Sequence, residues 1–229
     1  MSATKGFANI STDNPLSVYK YTGRHCPDDS LNISHGSVTI QRSLWSVEGN
    51  VTCDDDYFLL QTVITCMDDG NWTSITAQCE KSVWRYPETK INASQVTLAI
   101  PGTVVEGWSM CVEGVPTSNN RIDIQIFQGY NINRTVLTSW RFEGYLQVTD
   151  SVSGKYGAST NVTNPPFPLV VGTPFFYRLT VNTSTTVHIY MNNVFFYQHV
   201  LRYPLSSFSH MNVFGSSVNV TKVEAWCRG

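Results

Sequence analysis

The six cysteines of this chain are the residues from which a chemical reaction can be predicted most directly. They form an even set without a Cys-X-X-Cys pair and without a Cys/His spacing suited to zinc. Oxidation to disulfides is therefore the chemistry that they predict, and it favours an oxidising compartment. Four of them crowd into the first third of the chain and two stand far apart in the remainder, which predicts two domains. The six are Cys26, Cys53, Cys66, Cys79, Cys111 and Cys227.

The histidines show no His-X-X-X-His or His-Glu spacing of a metal site, and two of them fall on predicted strands. No Gly-X-Ser-X-Gly turn, glycine-rich phosphate loop or Cys/His pair supplies a nucleophile. We therefore predict no metal, no cofactor and no catalytic residue, so the chain is not expected to be an enzyme. The five histidines are His25, His35, His188, His199 and His210.

Nine Asn-X-Ser/Thr sequons predict a secreted glycoprotein on the extracellular side of the cell surface. The first residues lack the apolar run of a secretory signal, and either a cleaved signal or a shortened chain would explain its absence. The sequons begin at Asn9, Asn32, Asn50, Asn71, Asn92, Asn133, Asn161, Asn182 and Asn219.

Composition excludes several other classes of protein. The 229 residues are 41% hydrophobic, which supplies a folded core, and 15 Lys+Arg against 17 Asp+Glu leave no basic field for nucleic acid. The longest apolar stretch, residues 167–177, contains Pro168 and Pro174. It is shorter than the roughly 20 residues that cross a bilayer, so we predict no membrane span in this chain.

Short strand-like segments separated by Asp- and Gly-rich turns fill residues 26–80. So small and polar a domain buries too little apolar surface to fold without crosslinks, and the four cysteines allow three pairings. Residues 1–25 are expected to form an N-terminal arm and residues 81–94 a linker.

Residues 26–80 resemble a sushi module, also called a complement control protein module. The resemblance rests on four cysteines in order with Tyr57-Phe-Leu59 after the second and Gly70-Asn-Trp72 after the third. Asp56 stands where the family usually has Gly, and the usual Pro before the last cysteine is missing. The resemblance implies the disulfides Cys26–Cys66 and Cys53–Cys79, with Trp72 packed against them.

Residues 95–229 alternate apolar and polar side chains in a long series of segments, with turn signals between them and no amphipathic helix. This pattern predicts an all-β fold, an antiparallel sandwich of the jelly-roll type. Cys111 falls on an early strand and Cys227 near the end, so a Cys111–Cys227 bridge is expected to hold the first and last strands together.

The order of these segments resembles a divergent galectin-like domain. The segments that carry the resemblance include Arg141-Phe-Glu-Gly, residues 166–176 with their Pro-Phe pairs, and the hairpin of residues 187–199. Galectins hold galactose with a His-X-Asn-X-Arg strand, a Val-X-Asn strand and a Trp-Gly-X-Glu-X-Arg loop.

This chain departs from those three motifs. The first is Leu137-Thr-Ser-Trp-Arg-Phe142, about one residue short, so that Arg141 is retained and Thr138 and Ser139 stand near the lost His and Asn. The second ends in Asp150, and the loop has Tyr156 for Trp. Ser159 and Asn161 replace its charged pair, which removes charge-assisted bonds. The candidate sugar-binding residues are Thr138, Ser139, Arg141, Asp150 and Tyr156.

Each of these residues has a plainer alternative. Arg141 is equally suited to a salt bridge with Asp150 or Glu143, and Tyr156 and Trp140 are equally suited to be ordinary aromatics of a sandwich. A glycan on Asn161 would crowd the face that a galactoside uses.

The sequence therefore predicts an extracellular recognition or adhesion protein that binds a protein partner or a non-standard glycan through its second domain. Two alternatives stay open. One is a lectin of the β-galactoside type with an altered site, and the other is a structural subunit of a larger extracellular or membrane complex.

Overall fold

The computed structural model describes residues 26–27, 31–43, 46–60, 63–73, 79–89, 95–129 and 133–227. The predicted N-terminal arm and the sequons at Asn9 and Asn92 lie outside these residues. The described residues fall into two compact units, one made of those within residues 1–52 and 61–78 and the other of those within residues 53–60 and 79–229. The predicted module of residues 26–80 is thus shared between the units, and residues 53–60 belong to the larger one.

The described residues contain nineteen strands and one short 3₁₀ helix at Leu205–Ser207. The strands are β1 (Gly36–Arg42), β2 (Val47–Cys53), β3 (Tyr57–Leu59), β4 (Val63–Thr65), β5 (Cys79–Lys81), β6 (Val83–Arg85), β7 (Gln95–Ala99), β8 (Ser109–Pro116), β9 (Ile122–Gln128), β10 (Asn133–Arg141), β11 (Tyr145–Thr149), β12 (Ser151–Val152), β13 (Lys155–Tyr156), β14 (Thr160–Val162), β15 (Phe175–Thr183), β16 (Thr186–Met191), β17 (Val194–Val200), β18 (His210–Phe214) and β19 (Val218–Ala225).

The smaller unit is a three-stranded sheet in the order β1-β2-β4. The Cys26–Cys66 disulfide crosslinks it. Trp72 is buried, forms an isolated bridge with Cys66, and donates its indole N–H to the carbonyl of Pro27 at 3.1 Å. The disulfide and the contacts of Trp72 therefore stabilise this unit, whose own apolar core is small.

The larger unit is built from two six-stranded antiparallel sheets. The first sheet has the order β14-β11-β10-β9-β18-β7, and the second sheet has the order β17-β16-β15-β8-β19-β6. Two further pairs, β3 with β5 and β12 with β13, complete the unit. The predicted all-β fold with antiparallel sheets is confirmed.

The core of the larger unit is filled by alternate residues of the strands, because successive side chains of a strand point to opposite faces. On β10, Val136 and Trp140 are buried in this core, and on the second sheet Tyr177 and Ile189 are buried with them. The ring of Trp140 lies edge-on to Phe196 with 5.1 Å between centroids. Leu137 and Ser139, which alternate with these core residues along β10, face the other side of the sheet.

Two disulfides lie in the larger unit. Cys53–Cys79 links the two segments of the larger unit that precede and follow residues 61–78. Cys111–Cys227 links β8 to the residues after β19. All three pairings are those that the sequence analysis expects. Residues 83–85, within the expected linker, form edge strand β6, because Trp84 and its neighbours pair with Val223 and the flanking residues of β19.

No helix among the described residues is long and apolar enough to cross a membrane.

Candidate functional site

A cavity of about 290 Å³ opens on the outer face of the first sheet. Polar side chains of β9, β10 and β11 form its floor, and the segment after β12 forms one wall. Its lining residues are Arg121, Asp123, Leu137, Ser139, Arg141, Gln147, Thr149, Tyr156, Gly157 and Ser159.

Strand alternation decides which residues of β10 reach this cavity. Leu137, Ser139 and Arg141 line it. Thr138, between them, is fully buried on the opposite face, where its hydroxyl donates to the carbonyl of Ile124 at 2.9 Å and lies 3.3 Å from the hydroxyl of Tyr177. The spacing Leu137, Ser139, Arg141 is that of His-X-Asn-X-Arg with no residue missing, so the sequence expectation for Thr138 is wrong: this residue does not line the cavity.

The carboxylate of Asp123 organises one side of the cavity. It is buried, the guanidinium Nε of Arg121 lies 3.2 Å from its Oδ2, and the hydroxyl of Ser139 donates to its Oδ1. The ion pair with Arg121 and the hydrogen bond from Ser139 offset the cost of burying the charge. A ligand hydroxyl entering here would meet a guanidinium and a carboxylate side by side.

Arg141 organises the other side. Its terminal nitrogen donates to the side-chain oxygen of Gln147 at 3.2 Å, and Gln147 in turn donates to the side-chain oxygen of Asn161 at 3.4 Å. Its Nε is buried without a hydrogen-bond partner. Neither Asp150 nor Glu143 forms an ion pair with Arg141 among the described residues, so the salt bridge expected as the alternative is absent there.

Tyr156 forms an exposed aromatic wall. It stands on β13, directly after a tight turn in which Ser153 and Gly154 both have positive φ, and 60% of the residue is exposed. The guanidinium of Arg134 lies 5.2 Å from the centroid of its ring, which is within the range of a cation–π contact. An exposed ring beside hydroxyl-binding groups is suited to stack on the apolar face of a sugar.

Asp150 does not line the cavity, contrary to the sequence expectation. Its carboxylate is buried and accepts both hydrogen bonds of the Arg202 guanidinium. His199 Nε2 lies 4.0 Å from it. Burial lowers the pKa of His199, with Asp150 opposing the shift and Arg202 adding to it. Thr149, one residue earlier, occupies the outward position that Asp150 was expected to have.

Seven of the ten lining residues were not among the candidates from sequence: Arg121, Asp123, Leu137, Gln147, Thr149, Gly157 and Ser159. The period of two along β10, counted back from the retained Arg141, would have found Leu137. Asp123, Gln147 and Thr149 lie on the neighbouring strands, whose register with β10 is given by the structure.

A second cavity of about 360 Å³ adjoins the first and shares Arg121 and Arg141 with it. Its remaining wall includes Asn119, Glu143 and Phe214. The two guanidinium groups therefore stand at the centre of a longer groove, which gives room for more than one sugar ring.

The sequon at Asn161 lies on β14, the edge strand of the first sheet, and its side chain is exposed. It is joined to the cavity through Gln147. A covalent glycan on this side chain would start at the border of the cavity. The described residues contain no group of three or more His, Cys, Asp or Glu side chains that could hold a metal ion.

Comparison with protein families gives a match to the family described as galactoside-binding lectin, over residues 95–225. No curated protein sequence matches the chain.

Solved galectin structures share the fold. Galectin LEC-6 of Caenorhabditis elegans has a TM-score of 0.53 at 17% identity, with 63% of this chain and 95% of that chain covered. Sheep galectin-11 in complex with glycerol has a TM-score of 0.52 at 16% identity, with 58% and 98% covered. A double variant of human galectin-16 has a TM-score of 0.53 at 17% identity, with 60% and 97% covered. Sequence identities this low are evidence that the fold is shared and for nothing more.

Proposed function

The chain belongs to the galactoside-binding lectin family, and on that premise we propose that it is an extracellular lectin that binds a glycan in the cavity between Arg141 and Tyr156. The observation that carries this proposal is that a guanidinium and an exposed aromatic ring line one cavity on the outer face of the first sheet. Arginine donates planar pairs of hydrogen bonds to oxygen, and the ring covers apolar C–H groups.

The preferred ligand is not a simple β-galactoside. Leu137 and Ser139 stand at the His and Asn positions of the galectin motif, and Ser159 and Asn161 replace the charged pair of its loop. Leu137 offers no hydrogen bond, and the hydroxyl of Ser139 already donates to Asp123. We expect the ligand to use Arg121, Asp123 and Arg141 instead, and to extend into the adjoining cavity.

The extracellular location rests on three disulfides and on the sequons. Disulfides persist in oxidising compartments, and five of the seven described sequon asparagines, those at positions 32, 71, 161, 182 and 219, are exposed. We further propose that residues 26–80 are a sushi module that presents the lectin domain, on the strength of the pairings Cys26–Cys66 and Cys53–Cys79.

A second candidate function is recognition or adhesion through a protein partner, and β17 favours it. This strand is an edge of the second sheet and exposes Val194, Phe195 and Val200. An exposed apolar edge strand offers unpaired backbone groups as well as hydrophobic surface to another protein.

A glycan array probed with the secreted chain and with Arg141→Lys distinguishes the two functions. The lysine keeps the positive charge but loses the planar pair of donors. Under the lectin proposal the native chain binds a defined set of glycans and Arg141→Lys binds them more weakly. If no glycan is bound before or after enzymatic removal of the chain's own glycans, the lectin proposal is wrong and the protein partner becomes the leading function.

A further inference from the structure

A separate cavity of about 510 Å³ opens on the outer face of the second sheet, the sheet that does not carry the proposed lectin site. Arg178 and Thr180 of β15 line it, because they alternate with the buried Tyr177, Leu179 and Val181. Its volume lies within the range of small-molecule sites in proteins.

Arg178 stands out among the arginines that the structure describes. Its guanidinium lies 4.6 Å from the ring centroid of Tyr190, its Nε is buried without a hydrogen-bond acceptor, and no described carboxylate forms an ion pair with it. By contrast, a carboxylate or amide oxygen of another side chain accepts a hydrogen bond from each of Arg85, Arg134, Arg141 and Arg202, and Arg121 forms an ion pair with Asp123. Arg178 is thus packed against an aromatic ring, and no described carboxylate lies within ion-pair distance of its guanidinium.

Two stacked aromatic rings form another wall of this cavity. Phe58 and Trp226 lie 4.3 Å apart between centroids and 2° from parallel. The indole N–H of Trp226 donates to the carbonyl of Pro101 at 3.2 Å, and its backbone N–H donates to that of Ser109 at 2.7 Å. Trp226 adopts a φ of 64°, a conformation that bulky residues rarely take and that persists where surrounding contacts impose it.

From these features we infer that the cavity is a binding site for a carboxylate carried on a ring with an apolar face. The carboxylate pairs with the guanidinium of Arg178, which makes a charge-assisted hydrogen bond. The apolar face of the ring packs against Trp226 and Phe58, and the hydroxyl of Thr180 is available to a ligand oxygen. A hexuronic acid sugar and an aryl carboxylate both have this chemistry. The inference does not depend on the proposed lectin site, which lies on the other sheet.

The test is a calorimetric titration of the full secreted chain with two carboxylates and their uncharged counterparts. Glucuronate is compared with glucose, and phenylacetate with 2-phenylethanol. We expect at least one carboxylate to bind about tenfold or more tightly than its counterpart, and the pair that does so identifies the kind of ring. Arg178→Gln is expected to lose this difference. Arg85→Gln, which alters a guanidinium outside this cavity, is expected to keep it.

The inference is overturned if neither carboxylate binds saturably, if the uncharged counterparts bind equally well, or if Arg178→Gln binds as the native chain does. A second measurement uses the native chain and needs no variant. The side-chain Nε–H resonance of Arg178 should shift on addition of the carboxylate that binds and should be unmoved by its uncharged counterpart. An unmoved resonance at saturation places the carboxylate elsewhere and also overturns the inference.

Discussion

Arg202 binds both carboxylate oxygens of Asp150, a buried residue 52 positions earlier in the chain. This ion pair holds the base of the segment that carries Tyr156. The backbone N–H of Gly157 donates to the carbonyl of Asp150 at 2.9 Å, and the hydroxyl of Tyr203 donates to that of Ser151 at 2.8 Å. A β-carbon at Gly157 would collide with both members of the pair, so glycine is required there for space.

Removal of Arg202 is expected to destabilise the fold and loosen the wall of the cavity. Arg202→Ala leaves the carboxylate of Asp150 buried without its partner, which we expect to cost about 2 kcal/mol because the arginine itself is half exposed. Chemical denaturation measures the loss. Asp150→Asn combined with Arg202→Ala removes the buried charge and should recover part of it. Equal stability of the single and double variants would contradict this role of the pair.

Thr138 and Ser139 are adjacent residues with opposite roles. Thr138→Val leaves the carbonyl of Ile124 and the hydroxyl of Tyr177 without their partner, so the free energy of unfolding should fall by about 1–3 kcal/mol with glycan affinity unchanged. Ser139→Ala should weaken glycan binding, because it alters the hydrogen bonding of Asp123 in the cavity. Denaturation and a binding titration on both variants test the assignment. A loss of glycan affinity in Thr138→Val alone would reverse it.

His199 makes stability depend on pH. Burial lowers its pKa in the folded chain below the usual value of 6.5, so the unfolded chain binds a proton more readily. The contribution of His199 to the free energy of unfolding is therefore present above about pH 6.5 and is lost as the pH falls below that value.

His199→Gln should therefore flatten the fall in stability between about pH 7 and pH 5. Thermal unfolding over that range measures the slope. His188→Gln is the matched control, since His188 lies on the outer face of the second sheet and bonds Gln198 at 2.9 Å. An unchanged slope in His199→Gln would show that other groups govern the pH response.

The sequon at Asn161 is expected to carry a glycan that limits access to the cavity. Thr163→Ala removes the sequon but keeps Asn161 and its bond from Gln147. We expect glycan affinity to rise about tenfold, which is about 1.4 kcal/mol.

Glycopeptide mass spectrometry and a binding titration check both parts of this prediction. Ser184→Ala, which removes the sequon of Asn182 at the end of β15 in the second sheet, should leave affinity unchanged. An occupied Asn161 with no gain in Thr163→Ala would contradict the prediction.

The strands of the larger unit were predictable because their side chains alternate, and alternation is a local property of the sequence. The identity of the site residues was harder to predict, because an error of one residue in aligning a strand exchanges its two faces. A shift of one residue separates the sequence candidates Thr138 and Asp150 from Leu137 and Thr149, the residues that line the cavity in the structure. The pairing of Asp150 with Arg202 joins distant segments, so no local pattern could have revealed it.

The affinity of Tyr156→Ala for the strongest glycan of the array is the most direct test of the lectin site. Tyr86→Ala is the matched control, because Tyr86 is 64% exposed and lies outside the cavity. The account predicts that Tyr156→Ala loses about tenfold or more in affinity, with Tyr86→Ala unchanged. Native affinity in Tyr156→Ala would place the glycan elsewhere and contradict the account.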